Sequence, residues 1–248
     1  IVGVEKFYIY DNESNDNLRE VLKPYIKSGI VEYFYWSGKK QQDIVYNDAL
    51  KRLRLTSKYV AFIDDDEFIV PMKGKTIRDV LEELDLKAPV AGLLVSWWSY
   101  GSKETENTTI NDLVIERFKF HEKITKETKS AVKSIVNPRL AFRADYVHIF
   151  RYIKNFYSVD ENKDICLKGD GNSNNVHKIR INHYHTKSLD EFLKKKSRGD
   201  AVYGVYYKEN IVKHFDDCCK VCNVIEDDSM EKYVEPIKRM IKEMRDEK

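Results

Sequence analysis

An α/β fold with a mixed, mainly parallel central sheet is what this sequence predicts, on three observations. Strand-like and helix-like segments alternate over much of its 248 residues. The strand-like segments are short aromatic and β-branched runs bounded by Asn, Asp and Gly. Acidic loops follow two of those strands, at the sheet edge where ligands of open α/β sheets bind.

The elements follow in order. Residues 6–10 form a first strand, and the Asn- and Asp-dense run 11–17 reads as a loop ending in a helix N-cap. Leu18, Val21, Leu22, Tyr25 and Ile26 recur at helical spacing, and Gly29 stops that helix. Residues 31–36 form a second strand. Residues 41–55 form a second helix with Ile44, Val45, Ala49, Leu50 and Leu53 on one face, and 59–63 a third strand. This alternation predicts a parallel sheet covered by helices. Beyond it come a short helix at 76–84, a long strand at 90–100, and strands at 113–120 and 135–146 with antiparallel pairing. Residues 105–109 and 160–175 read as polar loops, the latter carrying Gly169 and Gly171. Residues 182–207 open with a His-rich element and continue as a helix. The last helix, 230–247, is amphipathic, with Tyr233, Ile237, Met240, Ile241 and Met244 on one side. The division expected is an α/β domain over 1–208 and a C-terminal helical extension over 209–248.

Composition narrows the function. The 42% hydrophobic content suits a globular chain with a sizeable core. Lys and Arg number 43 against 41 Asp and Glu, a balance that argues against a nucleic-acid partner. No apolar run is long enough to span a bilayer and no signal-peptide pattern opens the sequence. A cytoplasmic protein is expected, with peripheral membrane association compatible. Cys218, Cys219 and Cys222 supply one CxxC pair, short of the two pairs of a zinc cage, so free thiols near a helix are expected.

Three constellations carry chemistry. Asp64, Asp65 and Asp66, followed by Glu67, end an apolar strand abruptly. Clustered carboxylates repel, and a divalent cation relieves that cost; hard oxygen ligands there suit Mg²⁺ or Mn²⁺. The competing reading is a solvated turn. Asp11, Asn12 and Ser14 follow the first strand and reach the same sheet edge, where a carboxylate can accept from a nucleobase imide and its neighbours can hold a ribose. Alone they read as a helix-capping loop. In the third constellation, alternation sets Ile181, His183 and His185 on one face of a strand and Asn182 and Tyr184 on the other. His185 is the candidate to complete a metal's coordination. Lys187, Lys196 and Arg198 are candidates to neutralise a diphosphate, or else line a solvated basic helix.

These residues, from Phe7 through Asp11 and Ser14, from Val60 through Asp64 to Phe68, and from Ile181 through His185 to Ser188 with Lys196 and Arg198, resemble glycosyltransferase family 92 and its bacterial family-2-like relatives. Lys133 to Val136 with Pro138, and Trp97 to Ser102, are similar to further blocks of that family. The resemblance implies a GT-A-like nucleotide-binding sandwich with a DxD motif, acting in glycan or polysaccharide biosynthesis. It implies Mn²⁺ or Mg²⁺, a UDP-sugar donor with galactose typical, inverting transfer of a hexose, and a glycan, glycolipid or other hydroxyl acceptor. Residue by residue, it implies Asp11 near the nucleobase, with Asn12 and Ser14 beside it. Asp64 would contact ribose, sugar or metal, with Asp65 alongside. Asp66 would hold the metal with His185, and Trp97, Trp98 and Tyr100 would line the acceptor. Family members usually begin with an earlier strand and helix, so weaker nucleotide binding than in a longer relative is expected of a chain that starts near the second strand.

Displacement by an acceptor hydroxyl needs a general base; Glu191 is the candidate, with Asp170 and Asp200 as rivals. Two other classes stay open. A sugar-nucleotide pyrophosphorylase would show a Gly-rich phosphate loop near the start, and none precedes Gly29. A non-catalytic carbohydrate-binding or assembly module would keep the fold and release no nucleotide.

Overall fold

A computed structural model describes residues 1–72, 75–125, 127–166, 170–172, 176–199 and 210–246. The chain opens with β1 (Phe7–Asp11), α1 (Leu18–Lys27), β2 (Val31–Tyr35), α2 (Gln42–Leu53), β3 (Val60–Ala61) and β4 (Glu67–Pro71). It continues with α3 (Ile77–Leu84), β5 (Val90–Ser99), α4 (Val114–Arg117), β6 (Phe120–His121), β7 (Lys129–Val136), β8 (Ala141–Tyr146) and β9 (Ile149–Tyr152). It closes with β10 (Tyr157–Val159), β11 (Asp170–Asn172), β12 (Ile179–His183), α5 (Leu189–Ser197), α6 (Ile211–Cys222), β13 (Ile225–Glu226) and α7 (Glu231–Asp246).

The result is a mixed α/β architecture. The largest sheet runs β11-β7-β5-β12-β4, with β10 also on β5 and β3 also on β7. The expectation of a mainly parallel sheet is corrected here. Only β1–β2, β10–β5 and β12–β5 run parallel among the described strands; the other pairs are antiparallel. The third strand keeps its place in the sequence but lies antiparallel on β7. Among the described strands β1 and β2 pair only with each other, and β8 and β9, joined by a link too short for a parallel crossover, form an antiparallel hairpin.

Two strand predictions are also corrected. The 113–120 segment is a helical turn, α4, followed by β6, because Glu116 accepts the Leu113 N–H at 3.1 Å and caps the turn. The 135–146 segment splits into the end of β7 and β8. Pro138 has no N–H for a ladder, and Asn137 accepts turn hydrogen bonds from Leu140 and Ala141 at 3.0 and 3.1 Å. Within 160–175, β11 adds to the edge of β7. On α2 the buried face is Val45, Tyr46, Ala49, Leu50 and Leu53; Ile44 is exposed. The Gly29 stop is met at φ +78°, where a glycine is unstrained. Cys218, Cys219 and Cys222 are free thiols on α6, as expected, and Cys166 is free as well.

Alternation along β5 and β12 divides the core. Leu93, Val95 and Trp97 with Ile179 and Ile181 face α3. Trp98 and Tyr100 with Tyr184 face α4 and α7. A third cluster packs α2 against β8, β9 and Phe62. The expected boundary at residue 208 lies outside the described residues. Residues 210–246 nevertheless share this core. Met230 and Val234 are buried in it, β13 pairs with β6, and Gly101 lies so close to Cys222 that a Cβ would sit 2.9 Å from its carbonyl carbon. No helix of the described residues is long and apolar enough to cross a membrane.

Candidate functional site

The site forms where β3 ends. Phe62 pairs with β7 through its N–H and anchors in the cluster between α2, β8 and β9, so the chain emerges rigidly into Asp64, Asp65 and Asp66 before β4 begins. Glu67 closes the turn from beneath, its Oε2 accepting the Asp64 N–H at 3.0 Å. Burial, then the charge of Asp64, pushes the Glu67 carboxyl well above the usual range.

The three aspartates differ. Asp64 accepts from Gln42 Nε2 at 2.6 Å, from the Tyr46 hydroxyl at 3.3 Å and from Lys133 Nζ at 3.0 Å. Asp65 is exposed. Asp66 is buried at 4% exposure; Lys195 donates to its Oδ2, and His183 Nε2 lies 3.6 Å from its Oδ1. Burial opposes the charge of Asp66, but His183 and Lys195 more than offset that and hold the carboxyl far below its ordinary range.

Two lysines therefore neutralise the acids. Lys133 projects from β7 at 1% exposure, between the Tyr46 and Trp97 rings. Burial disfavours its charge, yet Tyr46, Asp64 and Glu67 hold its ammonium protonated well into the alkaline range. Neither Lys133 nor Lys195 was singled out for phosphate contact from sequence. Lys187 stands in a left-handed turn at φ +52°, Lys196 lies against the Phe192 ring, and Arg198 is exposed at the end of α5. Their sequence signals are the place of Lys133 at the head of the family-like block 133–136 and the position of Lys195 four residues after Glu191.

The His-rich strand behaves as alternation predicts. The His183 ring lies tilted, 4.2 Å from the Trp97 ring and 5.1 Å from His185, while Arg180, Asn182 and Tyr184 turn to the opposite core. His185 is pushed down to about 3 by burial, then by His183 and Lys195, so its imidazole is neutral at pH 7. Its Nε2 lies 3.1 Å from the Thr186 hydroxyl and its Nδ1 is a buried atom without a partner. Glu67 Oε1, 3.7 Å from Lys133 Nζ, and Trp97 Nε1 are likewise buried without a hydrogen bond, so three of the four such atoms among the described residues border this cluster. Buried polar groups are normally satisfied, and their concentration here fits a polar ligand.

The first turn of α2 joins the two acidic loops. Gln42 holds Asp64, and its neighbour Gln41 accepts from Trp36 Nε1 at 2.9 Å. Asn12 donates to the Trp36 and Gly38 carbonyls at 2.9 and 2.8 Å, stapling the loop after β1 to the loop after β2. Asp11 is buried and accepts from the Tyr33 hydroxyl at 2.5 Å and the Ser14 N–H at 2.9 Å. Burial would raise Asp11, but hydrogen bonds from Ser14 and Tyr33 hold it below the ordinary carboxylate range.

The expected acceptor wall divides. Trp97 lies beside His183 and His148 on the acidic side. Trp98 stacks on the Arg180 guanidinium at 3.9 Å, on the other face. Tyr100, at 1% exposure, is a core residue and cannot touch an acceptor; a strand turns adjacent residues to opposite faces. Glu191 accepts from both Arg117 terminal nitrogens at 2.8 and 3.2 Å and closes the capping box of α5 with Ser188. Burial would raise Glu191, but Arg117 and Ser188 hold it low. The side chain of Asp170 and all of Asp200 lie outside the described residues.

Among the described residues no three His, Cys, Asp or Glu side chains converge as a metal cage. Mg²⁺ and Mn²⁺ need no such cage, since one or two protein ligands with phosphates and water suffice. Asp66, with His185 and its unpartnered ring nitrogen, fits that smaller set.

A family model described as glycosyltransferase family 92 matches residues 1–247. A family 92 protein of Oryza sativa subsp. japonica is 33% identical over 101 residues, 40% of this chain and 17% of that protein. One of Ricinus communis is 27% identical over 207 residues, 82% of this chain and 34% of that protein. A beta-1,4-galactosyltransferase of Caenorhabditis elegans is 26% identical over 216 residues, 81% of this chain and 46% of that protein. The chain spans less than half the length of these relatives.

Proposed function

The chain belongs to glycosyltransferase family 92, and we propose that it carries the catalytic domain of a GT-A-type, inverting hexosyltransferase that uses a UDP-sugar. Galactose is the favoured sugar, by kinship with the worm beta-1,4-galactosyltransferase, and the acceptor is a glycan or glycolipid hydroxyl. The observation that supports this most is the clustering around Asp66 of buried polar atoms without hydrogen bonds, beside acids neutralised by lysines.

Asp66 and His185 would hold Mn²⁺ or Mg²⁺. When bound, the ion supplies Lewis-acid stabilisation of the leaving diphosphate. Asp11, fixed by Tyr33 and Ser14, would accept from the nucleobase. Asp64, held by Gln42 and Lys133, would contact ribose or sugar hydroxyls. Trp97 offers an aromatic face backed by His183 for the acceptor. Lys133 keeps the acid cluster folded by offsetting charge that would otherwise repel. The test is release of UDP from UDP-galactose, UDP-glucose and UDP-N-acetylglucosamine, with Mn²⁺ and an acceptor panel. No release from any of them, together with no UDP-dependent rise in melting temperature, would sink the proposal.

With both oxygens bound to Arg117, Glu191 serves as a positioning residue for α5 rather than as the base. Glu191→Gln should cost about 1–3 kcal/mol of stability and leave the shape of the pH–rate profile unchanged. Loss of the acid limb of that profile would instead make Glu191 the base.

A further inference from the structure

We infer that Lys195 is an exchangeable occupant of the Asp66 carboxylate, holding that acid in the donor-free protein and turning to the donor's diphosphate when a divalent cation takes its place. The inference rests on the proposed function and names how that same site is regulated.

The placement begins with α5. Its first turn is fixed by the Ser188–Glu191 capping box and by the Arg117 pair. Phe192 is buried one residue later, against the rings of His214 and Phe215. Glu191 and Lys195 are four residues apart and share a helix face, so anchoring the first sets the second. The backbone of Lys195 is thus fixed beside Asp66, while its long side chain keeps its own freedom.

The ion pair is asymmetric. The Asp66 side chain is 5% exposed and that of Lys195 is 38% exposed, so the lysine is the partner with room to move. Lys133 has no such freedom; its side chain is 1% exposed and held by Asp64, Glu67 and Tyr46. Asp66 has two nitrogen neighbours, the Lys195 ammonium on one oxygen and His183 Nε2 at 3.6 Å from the other. A divalent ion on this carboxylate repels an ammonium at hydrogen-bond distance, and a diphosphate attracts it. A cation arriving alone must displace Lys195 into water. A cation arriving with a nucleoside diphosphate gives the displaced ammonium an anion to meet. The two ligands should therefore bind synergistically, each raising the other's affinity by the same factor.

Calorimetry tests this with Mn²⁺ alone, UDP alone, and Mn²⁺ in saturating UDP, on the wild type, Lys195→Met and Lys195→Arg. The wild type should bind Mn²⁺ at least about tenfold more tightly with UDP than without. Lys195→Met should bind Mn²⁺ alone about tenfold more tightly than the wild type and lose most of the synergy. Lys195→Arg, which keeps the charge, should retain it. If Lys195→Met does not fold, Lys195→Gln reads the same shift. Wild-type synergy with an unchanged or weaker affinity for Mn²⁺ alone in the neutral variant overturns the inference and leaves the proposed function standing. A wild type that binds no Mn²⁺–UDP in any combination overturns the proposed function and the inference with it.

Discussion

Replacing Asp66 by asparagine should lower the rate of UDP release from a UDP-sugar by roughly 10³-fold while the protein stays folded. Asp66 is the most completely buried of the three acids and faces both Lys195 and His183. The amide has the same shape and no charge, so it removes the electrostatic hold on a cation without opening a cavity. The variant gives up the stability that the depressed Asp66 carboxyl contributes, but Lys195, partly exposed, returns to water instead of staying buried and unpaired. Asp65→Asn is the control: Asp65 is exposed, and its variant should turn over close to the wild-type rate. The checks are steady-state UDP release with Mn²⁺ and a melting curve for each variant. An Asp66→Asn protein that releases UDP at a near-normal rate would exclude the role given to that carboxylate.

The largest loss of stability is expected from Asp227→Ala, at about 3–5 kcal/mol. Arg180 is 2% exposed, its guanidinium lies 3.9 Å from the Trp98 ring, and its Nε donates to Asn182 at 2.9 Å. Its other partners are Asp227, Ser229 at 2.7 Å and the Tyr100 hydroxyl at 3.2 Å. Asp227 is the one acid in that set. Removing it leaves a buried cation with neutral partners and frees the segment leading into α7. Burial opposes the charge of Asp227, but Arg180 and Tyr100 hold it below the ordinary value of 3.8. A depressed carboxyl contributes stability above its unfolded value and loses it as the pH falls through the folded one. The pair's contribution is therefore full at neutral pH and disappears in the acid range below 3.8. Urea denaturation at pH 7 measures the loss. The double variant Arg180→Met with Asp227→Leu should recover part of it, because an apolar pair avoids the unpaired charge. A single variant as stable as the wild type would show that the network does not anchor the C-terminal segment.

The site was partly legible in advance, and unevenly so. Asp64 and Asp66 stood out because acids after an apolar strand break a local pattern. His183 was placed on the correct face because a strand's period is two, and that period survives whatever the sheet pairs with. Gln42, Tyr46, Lys133 and Lys195 were not selected. Each is an ordinary residue in its own helix or strand, and each acquires a role only from a partner at least 22 positions away, except Tyr46 at 18. Trp98 and Tyr100, expected to line the acceptor, sit on the face opposite Trp97. Their composition suits sugar contact, but the sheet turns them inward toward α7.

The sequence by itself determined the family, the order of β1, α1, β2 and α2, the acidic exit from β3 and the two-faced His strand. All of these rest on local pattern or contiguous motif. Only the tertiary structure decided that β3 runs antiparallel to β7, that α2 bridges the two acidic loops, and that the triple aspartate is three unlike residues. Asp65 faces water, Asp64 lies under a sealed lysine, and Asp66 is buried against a lysine that can move. The physical reason is that charge and burial at a residue are set by whatever the fold brings near it, and identical neighbours in sequence meet different surroundings once the chain turns.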